Sequence, residues 1–187
     1  DNGWWELQWT SKEAADAAWS QWVQNSEAAA WQEKYANVLV CDGEARNGFE
    51  GVFPLGTEEF GELPKSGYFF SAVWLCKYNE GSGVADAKEF LPKFTQTVRN
   101  SSGYAGTSYH FGNYYSDSNP DADFLWGDFT NSRESMIQAT NAFQKDVQPT
   151  MFPMFSEFAA CGDTPDEYNG WMLYDAENKD FMPKFTN

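Results

Sequence analysis

His110 is the only histidine in the chain, and therefore the only side chain whose unperturbed pKa lies near neutral pH. Strand alternation in its aromatic stretch places Ser108, His110, Gly112 and Tyr114 on one face. An imidazole among aromatic rings could act as a general base on a flat, activated substrate. A single histidine on such a strand is more often a structural residue with satisfied hydrogen bonds. Both interpretations stay open, and the structural one is favoured.

An acidic segment imitates the ligand spacing of a calcium-binding loop. The candidate oxygen ligands are Asp117, Asn119, Asp121 and Asp123, with Asp128 at the twelfth position. Alternating oxygen ligands allow a short loop to surround a hard cation. However, Ala122 occupies the position that requires glycine and Pro120 stiffens the segment. A solvated acidic hairpin is therefore the favoured interpretation of this segment. No cofactor is predicted, and a bound calcium ion is the alternative interpretation.

Composition excludes several classes of function. The 187 residues include 28 acidic and 12 basic side chains, which give a formal net charge of −16. This charge repels phosphate backbones and anionic lipid, so nucleic-acid binding is not predicted. No segment has the roughly 18 consecutive apolar residues of a membrane helix, so membrane insertion is not predicted either. Nucleophile elbows, phosphate-binding glycine loops and zinc signatures are absent, which makes an enzyme the less favoured reading.

The expected location is secreted or periplasmic. The sequence starts at Asp1 without an initiator methionine, which fits either removal of a signal peptide or a trimmed chain. High acidity with few lysines also fits a saline extracellular environment.

Hydrophobic periodicity predicts the elements of the first third of the chain. Apolar residues alternate over residues 3–9, which predicts a strand. A stripe at helical spacing follows, made of Ala15, Ala18, Trp19 and Trp22, and a second helix is expected from Ser26. A strand is predicted from Phe49 to Phe53, and residues 56–66 are rich in glycine, proline and glutamate, like a linker.

The rest of the chain predicts a strand, a helix, two strands, further helices and a last strand. Residues 68–78 are apolar on both faces, so both sides of this strand must be covered. A helix with Pro92 inside it is expected next. Strands are predicted over residues 104–115 and 123–129, and the helical region that follows them is interrupted. The last strand is expected over residues 168–174.

An internal repeat connects the two parts. At an offset of 120 residues, Trp9-Thr10-Ser11 aligns with Phe129-Thr130-Asn131, and Cys41 aligns with Cys161. Few identities are involved, and the shared order of strand, helix, cysteine, turn and strand is the stronger argument. The repeat predicts a complete β-α-β-β-α-β unit over 67–175 and a half unit over 1–55, with a tail over 176–187. The missing half would lie upstream of Asp1 or come from a neighbouring chain.

Two split β-α-β units with sheets that are apolar on both faces resemble the ferredoxin-like dimeric α+β barrel superfamily. The resemblance is topological and covers residues 3–53 and 67–175. It implies an α+β fold in which helices cover one face of each sheet and the other faces close on a small cavity. That superfamily includes cofactor-free oxygenases, haem-degrading enzymes and proteins of unclear role, so the resemblance supports no particular reaction.

This topology implies both a disulfide and a set of cavity residues. The end of the first strand lies beside the start of the last one, so we expect a Cys76–Cys161 disulfide with a Cα separation of roughly 4.4–6.8 Å. Three buried thiols in a reducing compartment are the alternative. The side chains expected to face the cavity with His110 are Trp74, Trp126, Asp128, Asn169, Glu6 and Glu50. A pair formed by His110 and Asp128 would be the general base of an enzyme.

The favoured function is that of a secreted, non-catalytic α+β barrel protein. Its partner would be a small apolar or aromatic ligand, or further copies of itself as a homo-oligomer. One alternative is a cofactor-free or haem-dependent barrel oxygenase that uses His110. The other alternative is an extracellular structural subunit whose half unit is completed by a neighbour.

Overall fold

The computed structural model describes residues 3–41, 46–116, 119, 121–176 and 178–185. The chain forms two compact units, Asp1–Arg46 and Asn47–Asn187. Most of the regular structure and the extended core belong to the second unit.

The first unit contains two helices, α1 (Lys12–Trp22) and α2 (Ser26–Tyr35). Ser11 caps α1, since its hydroxyl accepts the N–H of Ala14 at 3.2 Å. Asn25 caps α2 in the same manner, accepting the N–H of Glu27 at 2.8 Å. Both helices were predicted from the periodicity of their apolar residues.

The second unit is built on six antiparallel strands. They are β1 (Glu50–Val52), β2 (Tyr68–Tyr78), β3 (His110–Tyr115), β4 (Phe124–Thr130), β5 (Ala159–Cys161) and β6 (Asp166–Trp171). Their order across the sheet is β1-β3-β4-β2, and both β5 and β6 pair with the far side of β2. The sheet is open, and β2 is its longest strand.

Helices connect the strands in a β-α-β-β-α-β order from β2 to β6. Helix α3 (Val84–Asn100, with Pro92 inside) joins β2 to β3. Between β4 and β5 the chain forms α4 (Arg133–Ala142), a π-helical turn (Phe143–Val147) and α5 (Gln148–Phe158). The predicted α+β class is therefore confirmed.

Helices α3, α4 and α5 pack on one face of the sheet. The Phe94 ring of α3 lies 5.0 Å from the Phe111 ring and 4.8 Å from the Trp126 ring, both edge to face. Helix α4 packs Met136 against Phe70 on the same face. Aromatic pairs of this kind add specific geometry to the burial of apolar area, and they form the core of the unit.

The predicted strand over residues 3–9 is wrong, because these residues have no regular secondary structure. Alternation creates two faces, but a strand also needs a hydrogen-bonding partner, and no described strand pairs with this segment. Trp9 therefore lies outside any sheet, whereas its counterpart Phe129 lies in β4.

Two further strands also differ from those predicted, one in its boundary and one in its pairing. The strand expected over residues 104–115 begins only at His110, because Gly106 and Ser108 have positive φ angles of 80° and 52° that turn the backbone. The strand expected from Phe49 to Phe53 is present as β1, but it belongs to the second unit, where it pairs with β3.

The predicted linker and the predicted tail both contact the rest of the second unit. Phe60, in the predicted linker, accepts the N–H groups of Gly106 and Ser108 at its carbonyl oxygen. In the predicted tail, Phe181 lies against Gly67, and the Lys184 N–H donates to the Ser66 carbonyl at 2.9 Å.

Among the described residues, no helix is long and apolar enough to cross a bilayer.

The Cys76–Cys161 disulfide is confirmed. The two residues are register partners in β2 and β5, and their Cα atoms are 3.9 Å apart, closer than the expected range. The bond joins residues 85 positions apart and fixes β5 to β2 beside the core. Cys41 is free and exposed.

Replacing both bonded cysteines by alanine should lower the free energy of unfolding by roughly 4 kcal/mol, because the bond restricts a long loop in the unfolded chain. Urea unfolding of the variant and of the wild type measures the difference. The control is Cys41→Ala, which should change stability by less than about 0.5 kcal/mol. Equal stability of the double variant and the wild type would contradict a structural role for the bond.

Candidate functional site

A carboxylate surrounded by aromatic donors lies in the middle of the sheet. Asp128 of β4 accepts three hydrogen bonds from neutral side chains. The Tyr109 hydroxyl and the Trp126 indole N–H donate to Oδ1 at 2.8 and 3.0 Å, and the Trp74 indole N–H donates to Oδ2 at 3.2 Å. The register explains this grouping, because Trp74 lies opposite Trp126 and Phe111 lies opposite Asp128. Cross-strand neighbours on one face are close enough to share one acceptor.

Burial dominates the electrostatics of this group. It raises the pKa of the Asp128 carboxyl above its ordinary value, while the three hydrogen bonds act in the opposite direction. Burial and the nearby Asp128 charge raise the pKa of Tyr109 well above its ordinary value, so Tyr109 remains a donor at neutral pH. Because the folded-state pKa of Asp128 is raised, its contribution to stability is largest below pH 3.8 and decreases as the pH rises through the folded value.

The structure brings together Trp74, Trp126 and Asp128, three of the residues that the sequence singled out. Their expected environment is different, however. They face the side that the helices cover, where Trp126 packs against Phe94 of α3. The group is therefore a half-buried polar centre beside the aromatic core, on the face opposite to the one where a cavity was expected.

His110 lies on the other face of the sheet. It is the register partner of Phe129, and the two rings stack at 5.1 Å with an interplanar angle of 14°. Its Nδ1 is 3.0 Å from the Ser108 carbonyl oxygen, so this nitrogen carries the proton and donates. Burial lowers the pKa of the imidazole, which is therefore neutral at pH 7.

The expected pair of His110 and Asp128 is not formed. His110 lies opposite Phe129, and Asp128 is the residue next to Phe129 on β4. Because adjacent positions on a strand point to opposite faces, His110 and Asp128 point away from each other. The geometry therefore does not provide the pair of His110 and Asp128 as a general base.

The other predicted ligand-binding residues lie apart from this group. Asn169 is on the edge strand β6, where its Oδ1 accepts the Tyr68 hydroxyl at 2.8 Å. Glu50 in β1 forms an exposed ion pair with Lys88 of α3 at 2.7 Å. Glu6 belongs to the first unit and accepts the Gln8 amide at 2.7 Å.

Two of the candidate calcium ligands make hydrogen bonds with the backbone. Asn119 Oδ1 accepts the N–H of Asp121 at 2.9 Å, and Asp123 Oδ2 accepts the N–H of Tyr78 at 2.7 Å. Asp117 lies outside the described residues. In the part of the chain that the structure describes, no three His, Cys, Asp or Glu side chains are grouped as metal ligands would be.

Sequence reasoning missed a second feature, on the face opposite α3, α4 and α5. We call it the aromatic face: Phe53, Phe69, Leu75, His110, Tyr114 and Phe129. Phe69 contacts Phe129 at 5.9 Å, and Phe53 contacts Tyr114 at 5.4 Å edge to face. The rings lie over glycines: a Cβ atom at Gly112 would be 2.5 Å from the Phe53 ring, and one at Gly127 would be 3.0 Å from Phe129.

The sequence signal for this face is a glycine two residues before an aromatic residue. It occurs at Gly51-Val52-Phe53, Gly112-Asn113-Tyr114 and Gly127-Asp128-Phe129. In a strand this spacing places the ring over the glycine of the same or the neighbouring strand, which lets large rings approach the backbone of the sheet closely.

Each unit has a surface cleft among its described residues. The cleft of the second unit has a volume of about 330 Å³ and lies between α4 and β6, where Arg133 packs over the Phe70 ring and pairs with Glu167. The cleft of the first unit has a volume of about 150 Å³ and lies beside Trp31 and Cys41. Neither cleft is lined by His110 or Asp128.

Replacing Asp128 by alanine should lower the free energy of unfolding by about 3 kcal/mol, because three donors would lose their acceptor inside the core. Asp128→Asn retains one oxygen and should cost less. Urea unfolding measures both, and Asp163→Ala is the control, an exposed aspartate whose loss should cost less than about 0.5 kcal/mol. An Asp128→Ala variant as stable as the wild type would show that carboxylate desolvation cancels these hydrogen bonds.

No protein-family model matches the chain, and no curated protein is significantly similar to it, so the function has to be argued from the geometry of the two units.

Proposed function

We propose that the second unit is a ferredoxin-like split β-α-β unit and that two copies associate through their aromatic faces as an α+β barrel. The support is topological. The first three strands of this unit are β2, β3 and β4, and β5 and β6 together form the fourth. Their order across the sheet is fourth, first, third, second. Helices α3, α4 and α5 all pack on one face. The other face of an apolar strand such as β2 then needs a different cover.

The observation that carries this proposal is the distribution of charge on the aromatic face. The chain has 28 acidic residues, but the strands carry only two charged side chains on the aromatic face, Lys77 and Asp166. One is basic and the other acidic, and both lie in outer positions of the face. Leu75 and Phe53 remain 38% and 39% exposed there. Two copies of a chain with a net charge of −16 repel each other across most surfaces. They can approach most closely where acidic side chains are missing.

The proposed function is accordingly that of a non-enzymatic, self-assembling protein, with a small aromatic ligand as the other occupant that this face would accept. The placement of His110 and Asp128 on opposite faces weighs against a barrel oxygenase. A Cys76–Cys161 disulfide is compatible with an oxidising location outside the cytoplasm, which supports export as part of the proposal.

Aspartate at either exposed position of the aromatic face should disrupt the dimer. Leu75→Asp and Phe53→Asp each place one carboxylate per copy in the contact, and we expect the dissociation constant to rise at least about 30-fold, equivalent to about 2 kcal/mol. Sedimentation equilibrium over a range of protein concentrations measures this constant.

The matched control is Ile137→Asp on α4, which is 60% exposed on the helical side. It should dimerise like the wild type. A wild-type chain that stays monomeric at the highest concentration, or a dimer that tolerates Leu75→Asp and Phe53→Asp, would refute the proposal.

A further inference from the structure

Three readily oxidised side chains donate hydrogen bonds to one carboxylate. Tyr109 and Trp126 share Oδ1 of Asp128, at 2.8 and 3.0 Å. Trp74 donates to Oδ2 of the same carboxylate at 3.2 Å. Phenol and indole groups become strong acids when they lose an electron, so each forms a neutral radical only where a base accepts its proton. Asp128 is a base within hydrogen-bond distance of all three donors.

The three donors differ in their exposure. Trp74 is half-buried, whereas Trp126 and Tyr109 are 9% and 5% exposed. Trp74 and Trp126 are register partners in β2 and β4, so their side chains are neighbours on one face of the sheet. A diffusing oxidant therefore reaches Trp74 first. A radical on Tyr109 is shielded by the core from the coupling reactions that consume exposed radicals.

Tyr104 shows what the acceptor contributes. It is fully buried, and its ring lies 4.6 Å from the Tyr109 ring. Its hydroxyl makes no hydrogen bond with any residue that the structure describes. Burial raises the pKa of both hydroxyls, so at neutral pH each would have to lose its proton together with the electron. Only the proton of Tyr109 has a carboxylate to receive it.

We propose that Tyr109 is a site of one-electron oxidation at which Asp128 accepts the proton. Trp74 and Trp126 carry the oxidising equivalent to this site from the surface. The reactant is a diffusing one-electron oxidant, such as a nitrogen- or oxygen-centred radical. This activity is independent of the proposed dimer, because the aromatic face lies on the other side of the sheet.

Each step conserves electrons and protons. The oxidant takes one electron from the Trp74 indole and is reduced to its anion, and the indole N–H proton moves to Oδ2 of Asp128. Tyr109 then supplies one electron through Trp126 to the indolyl radical, which takes its proton back. The hydroxyl proton of Tyr109 moves to Oδ1. The products are the reduced oxidant, a neutral tyrosyl radical and a protonated Asp128, whose raised pKa favours that state.

Pulse radiolysis of the full chain in azide solution tests this site, because the azide radical oxidises indoles faster than phenols. Optical absorption follows the decay of indolyl radicals and the growth of tyrosyl radicals, and freeze-quench EPR measures the tyrosyl signal that remains. The wild type should retain a long-lived tyrosyl signal that forms at a rate independent of protein concentration. Tyr109→Phe should remove this signal, and Tyr104→Phe, the matched control, should retain it.

Asp128→Asn tests the proton acceptor, since an amide keeps an oxygen at this position but is a much weaker base. Formation of the long-lived signal should be at least about 100-fold slower in this variant, the lower end of what a positioned base contributes. Heavy water should slow its formation in the wild type, because a proton moves with the electron. This second measurement needs no substitution and therefore does not depend on the folding of a variant.

A second indole and phenol pair provides the control for the route. Trp171 is half-buried and lies 5.4 Å from the Tyr68 ring, but the Tyr68 hydroxyl donates to the amide of Asn169, which is not a base. Trp74→Phe should lower the yield of the long-lived signal, whereas Trp171→Phe should not. A signal that persists in Tyr109→Phe would overturn the proposal. Equal rates in Asp128→Asn and the wild type would overturn it too, as would equal rates in light and heavy water.

Discussion

The second unit depends on a central strand with apolar side chains on both faces. Strand β2 pairs with β4 on one edge and with β5 and β6 on the other, so its backbone is satisfied by the sheet itself. Its side chains still require cover on two sides. Helices α3, α4 and α5 provide one cover through a core of aromatic rings. The aromatic face is the other side of the same strand, and its need for a cover underlies the proposed dimer.

The polar groups of the core are consistent with this arrangement. Asp128 lies among hydrogen-bond donors that are themselves aromatic, so neutral side chains hold its half-buried carboxylate beside the core. Such a site orients Trp74, Trp126 and Tyr109 relative to one another, because each must reach the same two oxygens. His110 satisfies its Nδ1 locally and is neutral by burial. These features fit the non-enzymatic role that is proposed for this unit.

Local patterns predicted much of this fold, and pairing accounts for most of the differences. Residues 68–78 form β2 as predicted because their apolar run has partners on both edges, and the topology implied by the resemblance led to the Cys76–Cys161 bond. Residues 3–9 alternate just as clearly but form no strand, because alternation does not supply a partner. The grouping of Trp74, Trp126 and Asp128 was anticipated, but their face was not. Which side the helices cover depends on packing between distant residues.

The central claim is that two copies meet through the aromatic face, and carbene footprinting at protein concentrations above and below the dimer midpoint tests it most directly. The account predicts that labelling of Phe53 and Leu75 decreases in the dimer, while labelling of the exposed Ile137 and Phe152 on the helical side stays constant. A dimer in which Ile137 and Phe152 are protected and Phe53 and Leu75 remain labelled would contradict it.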